Sequence, residues 1–160
     1  VTVIAGDAVQ TVGPWIQAQD TQVAVISNLP YNASTAILAH LVEVSTKVPC
    51  MVLMFQKEVA QKLRAEPGER DVGPLSLITQ NLYDISRVLQ VNPGSFRPRP
   101  NVDSEVVALR RRAEPRLPPG LAGRLGPLAF RALAHRRKML RQNLANAPQT
   151  LATRRPHELS

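Results

Sequence analysis

Asn28-Leu29-Pro30-Tyr31 has the residue types to hold an amine against a flat ring. The Asn28 side-chain amide supplies a carbonyl acceptor. Pro30 biases Leu29 towards an extended conformation, which can aim the Leu29 carbonyl outward as a second acceptor. Tyr31 offers a planar face. Two acceptors converging on one point suit an –NH₂ group, and an adjacent ring suits a planar base. An adenine amine is a poor nucleophile because its lone pair is delocalised into the ring. Acceptors that draw its hydrogens out of the ring plane localise that pair, and the amine can then attack a methyl on a sulfonium. This is electrostatic preorganisation and requires no His or carboxylate at the amine. The plainer reading is a turn that ends a strand.

The corner needs a strand before it and a helix after it. Val23–Asn28 is apolar and strand-like, and Ser34–Val44 has Ile37, Leu38, Leu41 and Val42 at helical spacing, with Ser34 or Thr35 as N-cap. Val1–Ala8 reads as a buried strand and loop, and Pro14–Asp20 as a short helix or turn. Cys50–Phe55 reads as a strand buried on both faces, with Cys50 a buried thiol. Helices are expected at Lys57–Ala65 and Pro74–Asp84, and strands at Ile85–Val91 and Ser104–Arg112. With no helix between them, the last two strands should pair antiparallel. The alternation predicts a mostly parallel α/β sheet. Ligands in such sheets sit outside the carboxyl ends of the strands, which makes Asp7, Asn28 and Gln56 rim candidates. Each could equally be a cap or turn residue.

Charge divides the 160 residues. Residues 1–90 carry six Lys/Arg and eight Asp/Glu, net −2, whereas residues 91–160 carry fourteen and four, net +10. A one-sided basic field is the footprint of a polyanion binder, and a solvated arginine-rich surface is the alternative. The basic residues Arg136, Arg137, Lys138 and Arg141 lie largely off an apolar stripe of Leu133, Leu140 and Leu144 in an expected helix. The single cysteine excludes an internal disulfide and a cysteine-based zinc site. His40, His135 and His157 are scattered, so no metal is expected. No apolar run approaches the roughly 20 residues that span a bilayer. No signal peptide is seen, and a reducing, cytoplasmic setting is expected.

NLPYN, QKEVAQKL, GPLSLITQ, VNPGSFRPRPNVDSEVV and HRRKMLRQNL occur in this order. Together they resemble the ribosomal RNA adenine dimethyltransferases, over nearly all of residues 1–146. The N-L-P-[YF] corner has relatives in DNA adenine and glutamine methylases; the F-x-P-x-P-x-V-x-S segment from Phe96 to Ser104 narrows the resemblance to the rRNA enzymes. It implies an S-adenosylmethionine-dependent enzyme that dimethylates adenines in rRNA. Its fold is a Rossmann-like class I methyltransferase sheet, partial here and with an antiparallel last strand, plus a small C-terminal helical domain. The implied domains are a methyltransferase domain at 1–112, a linker at 113–119 and a truncated rRNA-binding domain at 120–160.

The same resemblance gives roles to residues. Asn28 and the Leu29 carbonyl would hold the target amine, with Pro30 setting the corner. Tyr31 and Phe96 would stack on the flipped adenine, although Phe96 could instead anchor a proline-rich linker. Asp7, with Asn28, would border the cofactor. Gln56, Lys57 and Glu58 match a segment beside the pocket. Arg97, Arg99, Arg136, Arg137, Lys138 and Arg141 would meet RNA phosphates. NLPYN followed by RRKMLRQNL looks most like the small-subunit enzymes, implying two adjacent adenines near the rRNA 3′ end, ribosome biogenesis and a monomer acting on a small subunit or its precursor. The alternatives are a large-subunit macrolide-resistance methylase, a DNA adenine methylase and a non-catalytic ribosome assembly factor.

One departure stands out. The family's opening strand, its glycine-rich G-x-G-x-G-x-L-T loop and its second strand are not seen, and Val1 corresponds to the family's third strand. The expectation is a fragment of a longer enzyme, with Val1–Ile4 an unpaired edge and weak cofactor binding.

Overall fold

The computed structural model describes residues 1–66 and 68–159, and for Pro119 and His157 the backbone only. Contacts divide the chain into two compact units, Val1–Ala60 with Leu82–Ala113, and Gln61–Asn81 with Glu114–Ser160. Residues 61–81, sequence neighbours of the sheet, therefore group with the C-terminal stretch.

The first unit holds a four-stranded sheet in the order β1-β2-β4-β3. Its strands are β1 (Val25–Asn28), β2 (Cys50–Gln56), β3 (Tyr83–Val91) and β4 (Ser104–Arg111). β1 pairs parallel with β2, while β4 is antiparallel to both β2 and β3. Three strands thus run one way and the last strand runs against them, as the sequence pattern predicts. A register shift interrupts β3 between Arg87 and Leu89.

Alternation decides which face of β2 is buried. Met51, Leu53 and Phe55 are buried, and the residues between them are only partly covered. The expectation of burial on both faces does not hold, because the pleat sends alternate side chains to opposite sides. Cys50 is exposed rather than buried for the same reason: it falls on the open phase at the strand's first position. Met51, Leu53 and Phe55, Val107 and Leu109 of β4, and Ile37, Leu38, Leu41 and Val42 are all buried in this unit. Each such side chain contributes about 1.5–3 kcal/mol.

Helices α1 (Ala8–Gln17) and α2 (Ser34–Glu43) cover part of this unit. Asp7, extended at φ −75° and ψ 118°, caps α1 by accepting from the Val9 N–H at 2.9 Å. That cap starts the helix six residues before Pro14, so Pro14 lies inside it. Buried Gly13 faces α2, where a Cβ would lie 3.9 Å from the His40 Cβ, an ordinary van der Waals contact. α2 is capped at Ala33 without a side-chain bond, not at Ser34 or Thr35. Ser34 is buried and donates to the Tyr31 carbonyl instead.

Val1–Ile4 forms no strand and is exposed, contrary to the expected buried strand. A strand needs a hydrogen-bonding neighbour, and the sheet ends at β1. Ile26, on that edge strand, is 84% exposed.

The helix α3 (Lys57–Arg64) follows β2 directly. In the second unit α4 (Pro74–Leu82) buries polar residues, namely Ser76, Thr79, Gln80 and Asn81. Gln80 donates to the Leu63 and Ala65 carbonyls, both at 2.9 Å, and Asn81 accepts from the Leu117 N–H at 2.8 Å. These bonds tie α4 to the end of α3 and to the segment after Glu114 through satisfied backbone groups. α5 spans Pro119–Ala132 and α6 only Leu140–Asn143. The expected single basic helix over 136–141 is a turn followed by a short helix. Asn143 Nδ2 donates to the Ala132 carbonyl at 2.7 Å and to that of His135, while Met139 is extended at ψ 151°. Both stop α5 from running on. Leu140 is buried, and Leu133 and Leu144 are half-buried. Among the described residues no helix is long and apolar enough to cross a membrane.

Candidate active site

The sheet's register brings two distant stretches to one edge. β1 and β2 are parallel, so their carboxyl ends, Asn28 and Gln56, point the same way. β4 is antiparallel, and its first residue, Ser104, faces Gln56 on one side and Val91, the last residue of β3, on the other. The loop 92–103 therefore starts and finishes on the edge that carries the Asn28 corner. Asn28, Leu29, Pro30 and Tyr31 from the corner, with Phe96, Pro98 and Pro100 from the loop, line one pocket of about 200 Å³.

The corner is built by local bonds. Leu29 is buried and anchors it, whereas Asn28 is exposed at the rim. The Ala33 N–H donates to the Pro30 carbonyl and Ser34 Oγ to the Tyr31 carbonyl, both at 3.0 Å. The turn is closed through Pro30 and Tyr31, which leaves the Leu29 carbonyl outside these bonds. The Tyr31 hydroxyl lies 2.6 Å from the hydroxyl of Ser104, which is fully buried.

The opposite wall is held by a short 3₁₀ turn at Pro93–Ser95, from which Phe96 leaves extended at φ −119° and ψ 151°. Phe96 is half-buried and faces the pocket, so it is not a core residue of the linker. The Arg97–Pro98 peptide bond is cis. Arg97 and Arg99 follow Phe96, on either side of Pro98, and are exposed. Asp103 closes the loop: its carbonyl accepts from the Lys57 N–H at 2.9 Å, and its carboxylate takes Gln90 Nε2 at 3.1 Å with Lys57 Nζ at 3.8 Å.

The remaining candidates fare differently. Asp7 is not in the lining of the pocket; one of its carboxylate oxygens is the cap of α1, and its second has capacity for a ring amine. Gln56 and Lys57 stand at the end of β2, half-buried, and Glu58 is exposed. In the second unit Arg136 turns onto backbone, donating to the carbonyls of Arg70 and Val72. Arg137, Lys138 and Arg141 are exposed. No group of three or more His, Cys, Asp or Glu side chains that could hold a metal occurs among the described residues.

Sequence reasoning assigns no role to Ser104, although it ends the F-x-P-x-P-x-V-x-S segment. Its only local signal is a small polar residue at the start of a strand, where it is followed by Glu105, which is also buried. Only the register reveals that it meets Tyr31.

Comparison with known proteins gives concordant matches. Residues 1–156 match the protein family described as ribosomal RNA adenine dimethylase. The ribosomal RNA small subunit methyltransferase A of Leptothrix cholodnii is 44% identical over 129 residues, covering 80% of this chain and 47% of that protein. That of a Synechococcus species is 43% identical over 135 residues, covering 79% and 49%. The chain spans about half the length of these curated relatives. Among solved structures, a dimethyladenosine transferase from Plasmodium falciparum superposes with a TM-score of 0.76 at 23% identity, over 99% of this chain and 67% of that one. The 23S rRNA methyltransferase ErmE superposes with a TM-score of 0.64 at 23% identity, over 90% and 66%. These likenesses agree with the Rossmann-like methyltransferase fold expected for this chain from the sequence.

Proposed function

Since this chain belongs to the ribosomal RNA adenine dimethylase family, we propose that it is the adenine-presenting part of an enzyme that dimethylates two adjacent adenines near the 3′ end of small-subunit rRNA. The observation that carries this reading is the convergence of Asn28–Tyr31 and Phe96 on one pocket at the sheet edge. The curated relatives named as small-subunit methyltransferases support the choice of subunit.

S-adenosylmethionine, when bound, supplies a methyl group carried on a sulfonium. The residues present suit that donor: Asp7 has a carboxylate oxygen beyond the one it uses on Val9, and Asn28 is exposed at the rim. Asp7 would hold the cofactor's adenine. Asn28 Oδ1 and the Leu29 carbonyl would accept from the target amine, drawing its hydrogens out of the ring plane and its lone pair out of conjugation. The amine proton leaves after methyl transfer, so no general base is required. Tyr31 and Phe96 would sandwich the base. Stacking of about 1–3 kcal/mol per base offsets much of the few kcal/mol needed to extrude it.

Residues 1–112 would form the methyltransferase domain and 120–160 the RNA-binding domain, joined by 113–119. Arg97, Arg99, Arg137, Lys138 and Arg141 would lie on phosphates, binding through shape and backbone. The enzyme would act as a cytoplasmic monomer on a small ribosomal subunit or its precursor. Primer extension on rRNA from a strain lacking this gene tests the reading. Loss of the dimethyladenosine stops near the small-subunit 3′ end is expected; their retention would overturn it.

A further inference from the structure

Ser104 carries an inference beyond the amine-holding corner. It is 0% exposed and lies between Gln56 of β2 and Val91 of β3 in register. A hydroxyl buried so completely needs a hydrogen-bond partner, and the Tyr31 hydroxyl stands 2.6 Å away. Tyr31 belongs to the β1 corner, two strands distant in the order β1-β2-β4-β3. Its neighbour Asp103 is itself clamped, by the Lys57 N–H on its carbonyl and Gln90 on its carboxylate. Ser104 is thus a fixed point, attached directly to the loop that carries Phe96.

From this geometry we infer that Ser104 is a positioning residue. Its hydroxyl holds the axis of the Tyr31 ring over the pocket and places that ring in register with Phe96. A phenol tethered at its oxygen and at its Cα keeps one χ1 rotamer while remaining free to rotate about its long axis. An untethered ring of a half-exposed residue samples other rotamers. A preset ring loses less freedom when a flat base arrives. The consequence for base binding rests on the adenine-site reading above; the consequence for the ring does not.

The 160-residue chain contains only two tyrosines, Tyr31 and Tyr83, so isotope-labelled tyrosine gives a simple NMR readout. Tyr83 donates to the Val48 carbonyl in the same unit and serves as the internal control. In the native chain the Hα–Hβ couplings of Tyr31 should report a single χ1 rotamer. In Ser104→Ala they should become averaged while those of Tyr83 stay fixed. Tyr31→Phe, with labelled phenylalanine, should average likewise, and it decides the matter if Ser104→Ala also disturbs Tyr83. Titration with adenosine 5′-monophosphate, with inosine 5′-monophosphate as the control lacking the amine, should give a dissociation constant raised about threefold to tenfold in either variant. The double variant should be no weaker. Unaltered Tyr31 couplings in Ser104→Ala, or losses that multiply in the double variant, would overturn the inference. Averaged couplings with unchanged nucleotide binding would leave the tether standing and remove the adenine site.

Discussion

The Asn28–Tyr31 corner and the basic stretch 136–141 are both short contiguous runs, and folding treats them differently. The corner keeps its residues together and adds a second wall, Phe96, from a loop more than sixty positions away. The basic stretch is divided: Arg136 is spent on the Arg70 and Val72 carbonyls, and Arg137, Lys138 and Arg141 remain outside. The difference lies in what each run demands. A corner defined by a proline and a strand end is a backbone geometry, which the sheet enforces. A run of charges demands only solvent or an acceptor, and nearby backbone carbonyls can take one of its members.

Five substitutions and one titration probe this contrast. The largest effect belongs to Asn28→Ala. In the full-length enzyme it should lower turnover about 100- to 1000-fold with little change in rRNA affinity, read by single-turnover methyl transfer. Intact turnover would reduce the corner to a turn. Phe96→Ala should weaken nucleotide binding by about 1–3 kcal/mol and leave the urea midpoint of unfolding nearly unchanged. A large loss of stability with unchanged binding would instead make Phe96 an anchor for its loop.

Arg136→Ala should act on stability. Two charge-assisted bonds at a half-buried site suggest a loss of about 1 kcal/mol once solvent screening is allowed for, visible in thermal unfolding. If the variant melts normally and binds RNA poorly, Arg136 belongs with the phosphate-contacting residues after all.

Tyr83 tests the scaffold that supports the corner. Burial, partly opposed by the nearby Arg111 and aided by Cys50, pushes its phenol up from 10.0 to about 12. The folded chain then keeps a proton that the unfolded chain releases above pH 10. This contribution is present in full below pH 10 and is lost as pH rises from 10 to 12. Alkaline denaturation should show a decline across that window, and Tyr83→Phe should flatten it while losing about 1 kcal/mol from the Val48 bond.

The smallest effect is expected for Arg137→Ala, with no measurable change in melting. Its rRNA binding should weaken modestly, and the slope of log affinity against log salt should fall by about 0.7–0.9. An unchanged slope would place Arg137 away from phosphate.

Sequence alone determined the features that depend on local chain physics. Apolar spacing located α2 and β2; Pro30 and Asn28 marked the corner; and three prolines marked the loop that carries Phe96 as rigid. Three things needed the tertiary structure. Val1–Ile4 has strand-forming residues but no strand, because pairing is a property of neighbours. The expected basic helix is broken by Asn143, whose amide reaches back to the Ala132 and His135 carbonyls. Ser104 acquires its role only when antiparallel register carries the start of β4 to the edge where Tyr31 emerges. Periodicity and turn chemistry are written over a few residues, whereas register and burial are set by segments tens of residues apart.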